Sequence, residues 1–167
     1  VLPPVVGGTA LLLALGRRGL VGQYLDDVGV HLPFRVGGAV VAETFVAMPF
    51  LVLTLEAAFR SVDHRLEDAA RTLGASRWTV FRRVTLPLVR PSLVAGAVLC
   101  WARALGEFGA TITFAGNLPG QTQTLPLFVY VRFEGGDQAA AIALSLALMA
   151  VSLAVLLALR DRWLGLR

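Results

Sequence analysis

The sequence has no lysine, one cysteine and two histidines among its 167 residues. Without lysine there is no G-x-x-x-x-G-K-[ST] phosphate loop, so this chain does not itself hydrolyse ATP. The lone Cys100 excludes an internal disulfide and any multi-cysteine metal site. It lies in an apolar run, where a free cysteine behaves as a small hydrophobe. His31 and His64 fall in different connections with no ligand cluster beside either, so no metal and no bound cofactor are expected. No Ser/His/Asp arrangement is within reach, which argues against an enzyme. Charge is scarce at 16%, against about 25% in soluble domains. The net charge of +4 is not gathered on one basic face, so nucleic acid is not an expected partner. There is also no charged n-region and no signal cleavage pattern. The chain opens at Val1-Leu2-Pro3-Pro4 inside an apolar run and without Met, and is read as lacking its N-terminus.

What is abundant is apolar sequence: 56% of residues are hydrophobic, with a mean hydropathy of +0.72. The excess is clustered, and crossing a bilayer takes about 20 apolar residues. Val36–Leu55, Leu93–Phe114 and Ala139–Leu159 read as full spans, and Val1–Leu15 as the end of another, entered through Pro3-Pro4. The runs do not alternate, so helices fit better than barrel strands. The expected class is an all-α, multi-pass transmembrane protein in a cell membrane, forming one domain over residues 1–167.

All 15 basic residues are arginines. Seven fall in Arg60–Pro91 and three in the C-terminal tail at Arg160, Arg162 and Arg167; the other two connections share Arg17, Arg18, Arg35 and Arg132. Positive charge favours the inside of a membrane. The long loop and the C-terminus are therefore expected in the cytoplasm, and the other two connections outside.

The loop at about 60–91 carries the densest pattern. Asp63 can N-cap a helix from His64 to Leu73, with Glu67 and Asp68 near its positive end. Leu66, Ala69, Ala70 and Leu73 then form one slim apolar face, and Gly74 ends the helix in a left-handed cap. Ser76 can start a second short helix through Trp78, Phe81 and Val84, which Pro87 and Pro91 are expected to break. Periodicity alone is equally consistent with an ordinary amphipathic surface helix.

The spacing goes further. Asp68-Ala69-Ala70, three residues, Gly74, nine residues, then Val84, Thr85, Leu86 and Pro87 resembles the "EAA" loop of ABC-importer permeases, written E-A-A, three residues, G, nine residues, I, any residue, L-P. Asp68 stands for the Glu and Val84 for the Ile. Val1–Gly19 and Arg103–Leu127 are similar to molybdate permeases, the second stretch also to sulfate/thiosulfate permeases. The resemblance implies a transmembrane helical bundle of the ABC-importer permease type with a cytoplasmic coupling-helix loop. It implies at least one span before Val1 and a homodimer forming the pore. It implies two ATPase subunits that use ATP and Mg, and an external oxyanion-binding protein. The coupling residues it implies are Glu67, Asp68, Ala69, Ala70, Arg71, Leu73, Gly74, Ala75, Leu86 and Pro87. A secondary transporter or channel without an ATPase is the competing class, and the spacing around Gly74 argues against it.

Within the spans, Arg103 and Glu107 stand i, i+4 and can pair along one helix. Ionisable groups there normally face a bundle interior or a wet cavity. They are either a self-neutralised packing pair or, with Thr111 and Thr113, part of an anion pathway. Glu43 would repel an anion and is expected off such a path. Asn117, Gln121, Thr122, Gln123 and Thr124 continue the polar stretch; they are a wet loop or a lining that offers donors to a tetrahedral oxyanion.

Overall fold

A computed structural model describes residues 3–163, with side chains through Leu157. Val1, Leu2, Arg167 and the side chains of Arg160 and Arg162 lie outside the described residues. Helices account for the regular structure there, and no strand forms among the described residues. In chain order they are α1 (Pro4–Leu15), α2 (Gly22–Asp27), α3 (Val36–Arg60), α4 (His64–Thr72), α5 (Arg77–Val80), a π-helical turn (Phe81–Thr85), α6 (Leu86–Leu105), α7 (Gly109–Phe114), α8 (Leu125–Glu134) and α9 (Gln138–Trp163). At 1.5 Å per residue, the 25 residues of α3 exceed the roughly 30 Å of a hydrocarbon core. Among the described residues three stretches are long and apolar enough to cross a membrane: Val36–Arg60, Arg77–Leu105 and Gln138–Leu157.

Three expectations are corrected. Pro87 and Pro91 do not break the chain before its span: α5, the π turn and α6 run on as one helical stretch of 29 residues. Proline lacks an N–H, and its ring crowds the carbonyl four residues earlier. The widened turn just before Pro87, where the Leu86 N–H reaches the Phe81 carbonyl, absorbs that conflict. The second span therefore occupies Arg77–Leu105 and not Leu93–Phe114, because α6 stops at Leu105 and α7 starts anew at Gly109. Arg103 and Glu107 thus do not share a helix. Finally, α8 is a helix in a region read as a connection between spans.

Residues 3–47 and 102–163 form one compact unit. In it α1 lies on α7, and α8 on α9. The core joins Leu11, Ala42, Val46, Ala110 and Phe114. Gly8 permits the α1–α7 contact: a Cβ there would lie 2.8 Å from the Thr113 Cβ and 2.9 Å from the Ala110 Cα. Small residues at such crossings are how apolar helices approach without a hydrophobic driving force. Through Leu157 the surface of α9 is almost wholly exposed apolar side chain, including Ile142, Leu146, Met149 and Leu153, as suits a helix facing lipid.

Residues 48–101 form the second unit. Its long helices approach where Gly96 of α6 sits against Leu51 and Thr54 of α3; a Cβ at Gly96 would be 3.0 Å from the Leu51 Cδ1. The rest of the unit is the loop that carries α4 and α5.

Candidate functional site

The loop helix α4 is built as its residues require. Asp63 caps it by accepting the Arg65 N–H at 2.9 Å. Its end is a complete glycine cap. Gly74 has φ +84°, its N–H bonds the Arg71 carbonyl at 2.9 Å, and the Ala75 N–H bonds the Ala70 carbonyl at 3.1 Å. No atom lies within 4 Å of where a Gly74 Cβ would be, so the position needs glycine for its backbone and not for space. Ser76 opens α5 by accepting the Thr79 N–H at 3.2 Å.

No residue of α4 is buried. Leu66 is 49% exposed and Leu73 88%, so the apolar face read from the sequence is offered outward. Ala69 is exposed beside them, while Ala70 and Ala75 are half-buried. Leu86 is half-buried and Pro87 exposed at the start of α6.

The two adjacent acids of α4 point to different tasks. Asp68 is exposed, with only the Arg71 Nη1 nearby at 3.4 Å. Glu67 turns inward, its side chain 17% exposed, and its Oε1 accepts a 2.6 Å hydrogen bond from the Thr85 hydroxyl. Its Oε2 lies 3.6 Å from the Arg71 Nη2 and 3.7 Å from the His64 Nδ1. The Thr85 hydrogen bond, helped by the charges of Arg71 and His64 and opposed by partial burial, holds the Glu67 carboxyl below its ordinary range. Thr85 is itself buried. Sequence spacing could not reveal it, because it fills the unspecified position between Val84 and Leu86.

The other predicted residues gather at the α6–α7 break. After Leu105 the chain turns through Gly106, and Glu107 swings back so that its Oε2 lies 2.7 Å from the Arg103 Nη2. This is a contact of charges, without hydrogen-bond direction. The other oxygen, Oε1, accepts the Ala110 N–H at 2.8 Å and so satisfies a free donor at the start of α7. Glu107 is 1% exposed and the Arg103 side chain 27%. Thr111 is fully buried and its hydroxyl has no hydrogen-bond partner, whereas the Thr113 hydroxyl is spent on the Gly109 carbonyl at 2.7 Å. Thr122, also buried, accepts the Leu118 N–H at 3.0 Å. Thr122 is therefore not part of a wet loop. Irregular backbone in an apolar segment is tolerated only where protein covers it or a cavity needs it, and Gly109, Ala110 and Thr111 are all buried.

Neither cluster holds a nucleophile with a base, and no group of His, Cys, Asp and Glu able to bind a metal occurs among the described residues. What the geometry offers is an exposed amphipathic helix in one unit and a covered ion pair beside a helix break in the other.

Known proteins are similar to this chain in sequence. The chain is 52% identical over 162 residues to the molybdenum transport system permease protein ModB of Mycobacterium tuberculosis, covering 97% of this chain and 61% of that protein. It is 46% identical over 168 residues to the protein of the same name from Escherichia coli K12, covering 99% and 72%. It is 43% identical over 153 residues to the chloroplastic sulfate permease 2 of Chlamydomonas reinhardtii, covering 92% and 42%. The chain thus spans about three-fifths of the mycobacterial relative's length. Residues 1–165 match the family described as binding-protein-dependent transport system inner membrane component. With three apolar membrane-length helices and that match over nearly its whole length, the chain is a multi-pass membrane protein and belongs to the family of binding-protein-dependent transport system inner membrane components.

Proposed function

We propose that this chain is the channel-forming membrane subunit of an ATP-driven importer of molybdate or tungstate. Two copies form the pore, each docking one ATPase subunit through α4, and an external binding protein delivers the oxyanion. The ATP and Mg are used on the ATPase; this chain contributes the surface that receives the movement and the path that the anion follows. The observation that carries the reading is the exposed Leu66–Ala69–Leu73 face, closed by Gly74 in its glycine cap. It is a narrow apolar ridge that water leaves uncovered, and a groove on a partner would bury it. Relatives named for molybdenum transport supply the substrate class.

In this reading the loop of residues 60–91 is cytoplasmic. Closure of the ATPases on ATP draws the two α4 helices together and favours an outward-open pore; hydrolysis restores the inward-open one. That is a population shift, driven by the difference in ATPase affinity for the two states. Sulfate is the alternative cargo, favoured by the similarity to the chloroplastic sulfate permease.

The docking claim is tested by co-purifying the ATPase with Gly74→Val. A side chain at φ +84° imposes strain of about 1–2 kcal/mol, which is relieved by moving the cap. ATPase recovery should fall, and Gly74→Asn should retain more, because asparagine tolerates the left-handed region. Equal recovery in all three proteins would contradict docking through α4.

A further inference from the structure

Of the loop's two adjacent acids only one faces outward, and the inward one is joined to the base of a membrane span. We infer that Thr85 is a positioning residue for transport: its hydrogen bond to Glu67 is the strut through which force on α4 reaches α6. The inference rests on the reading of α4 as the ATPase-docking helix.

The geometry limits the alternatives. Nothing in α4 is buried, so apolar packing holds it to its neighbours only weakly. The Glu67–Thr85 bond, at 2.6 Å and across 18 residues of sequence, is the side-chain hydrogen bond that ties α4 to the stretch entering the membrane. A hydroxyl bonded to a carboxylate is among the shorter and stronger protein hydrogen bonds. Thr85 is 7% exposed, and its partner oxygen is partly screened, so water competes poorly for either group.

The position of Thr85 matters as much as its bond. It is the last residue of the π turn, immediately before Leu86 and Pro87, where the helical register changes from five-residue to four-residue bonding. π turns recur at sites where helices adjust for function. A pull on Glu67 therefore acts at the junction where α6 can turn with least loss of backbone bonding. Val80, the last residue of α5 and directly before the π turn, is 3% exposed. Asp68 and the Leu66–Leu73 face remain free for the partner, and Glu67 serves the chain's own interior.

The test uses the complete transporter with its ATPase and binding protein, reconstituted in vesicles. Thr85→Val keeps shape and burial but removes the donor. The ATPase should still co-purify at the normal ratio, because Thr85 is not on the outward face. Labelled molybdate imported per ATP hydrolysed should fall about tenfold, the factor expected for losing a hydrogen bond to a charged group. Thr85→Ser, which restores the hydroxyl, should recover most of the ratio, a rescue that a purely packing role would not give. Glu67→Gln is a second variant that keeps an acceptor without the charge, and should lower the ratio by a smaller factor. A wild-type ratio in Thr85→Val with the ATPase bound would overturn the strut and leave the docking reading standing. Absence of the ATPase from the wild-type complex would overturn both.

Discussion

Arg103 and Glu107 meet at 2.7 Å although the helix that carries Arg103 ends two residues before Glu107. The ion pair closes across a helix break. Glu107 also accepts the Ala110 N–H, so one carboxylate neutralises the end of α6 and opens α7. Glu107→Ala leaves Arg103 without its partner and the buried Ala110 N–H without an acceptor, and should destabilise the protein by about 1–3 kcal/mol. Glu107→Gln should cost less, since its amide oxygen can still accept the Ala110 N–H. Thermal unfolding in detergent checks the order; equal midpoints for wild type and Glu107→Ala would show that the pair is not structural.

The break explains what was legible in the sequence and what was not. Local features carried through. Asp63, Gly74 and Ser76 cap and terminate where their side chains and backbone preferences predict, because a cap depends on residues within one turn. Hydrophobic length likewise located α3 and α9 to within a few residues. Residues 93–114 misled, because apolar composition continues across Gly106 while the backbone does not. The i, i+4 spacing of Arg103 and Glu107 mimicked a helical pair that the structure makes by another route. Pro87 misled in the opposite sense, since a π turn can absorb a proline that an α-turn would reject. The Glu67–Thr85 bond was out of reach of spacing altogether, joining residues 18 apart through tertiary placement.

Glu67 also makes the loop sensitive to acid in a defined direction. Its carboxyl is lowered in the folded loop, so the linked stability is fully present above the ordinary carboxylate value of about 4.3 and is lost as pH falls through the lowered one. Hydrogen exchange of the α4 amides, corrected for the intrinsic pH dependence of exchange, should show protection lost on acidification. In Thr85→Val the midpoint should move upward toward the ordinary value. Coincident midpoints would show that Thr85 does not set the Glu67 titration.

The proposed orientation of the chain rests on its arginines, ten in the loop of residues 60–91 and the C-terminal tail against four in the other connections. Single cysteines at Ser76 and at Gly120, in a Cys100→Ala background, should react with an impermeant thiol reagent from opposite sides of sealed vesicles. Both positions are exposed, so access is not limiting. Reaction from the same side would reverse the proposed topology.

The central claim is that this chain carries an oxyanion across a membrane at the expense of ATP hydrolysed by a partner. The most direct measurement is uptake of labelled molybdate by vesicles holding the full-length permease and its ATPase, with the binding protein supplied on one side and ATP on the other. The account predicts uptake that requires both ATP and the binding protein, competes with tungstate, and is only weakly inhibited by sulfate. Molybdate uptake that proceeds without ATP, or ATP-driven uptake of a neutral solute with none of molybdate, would contradict it.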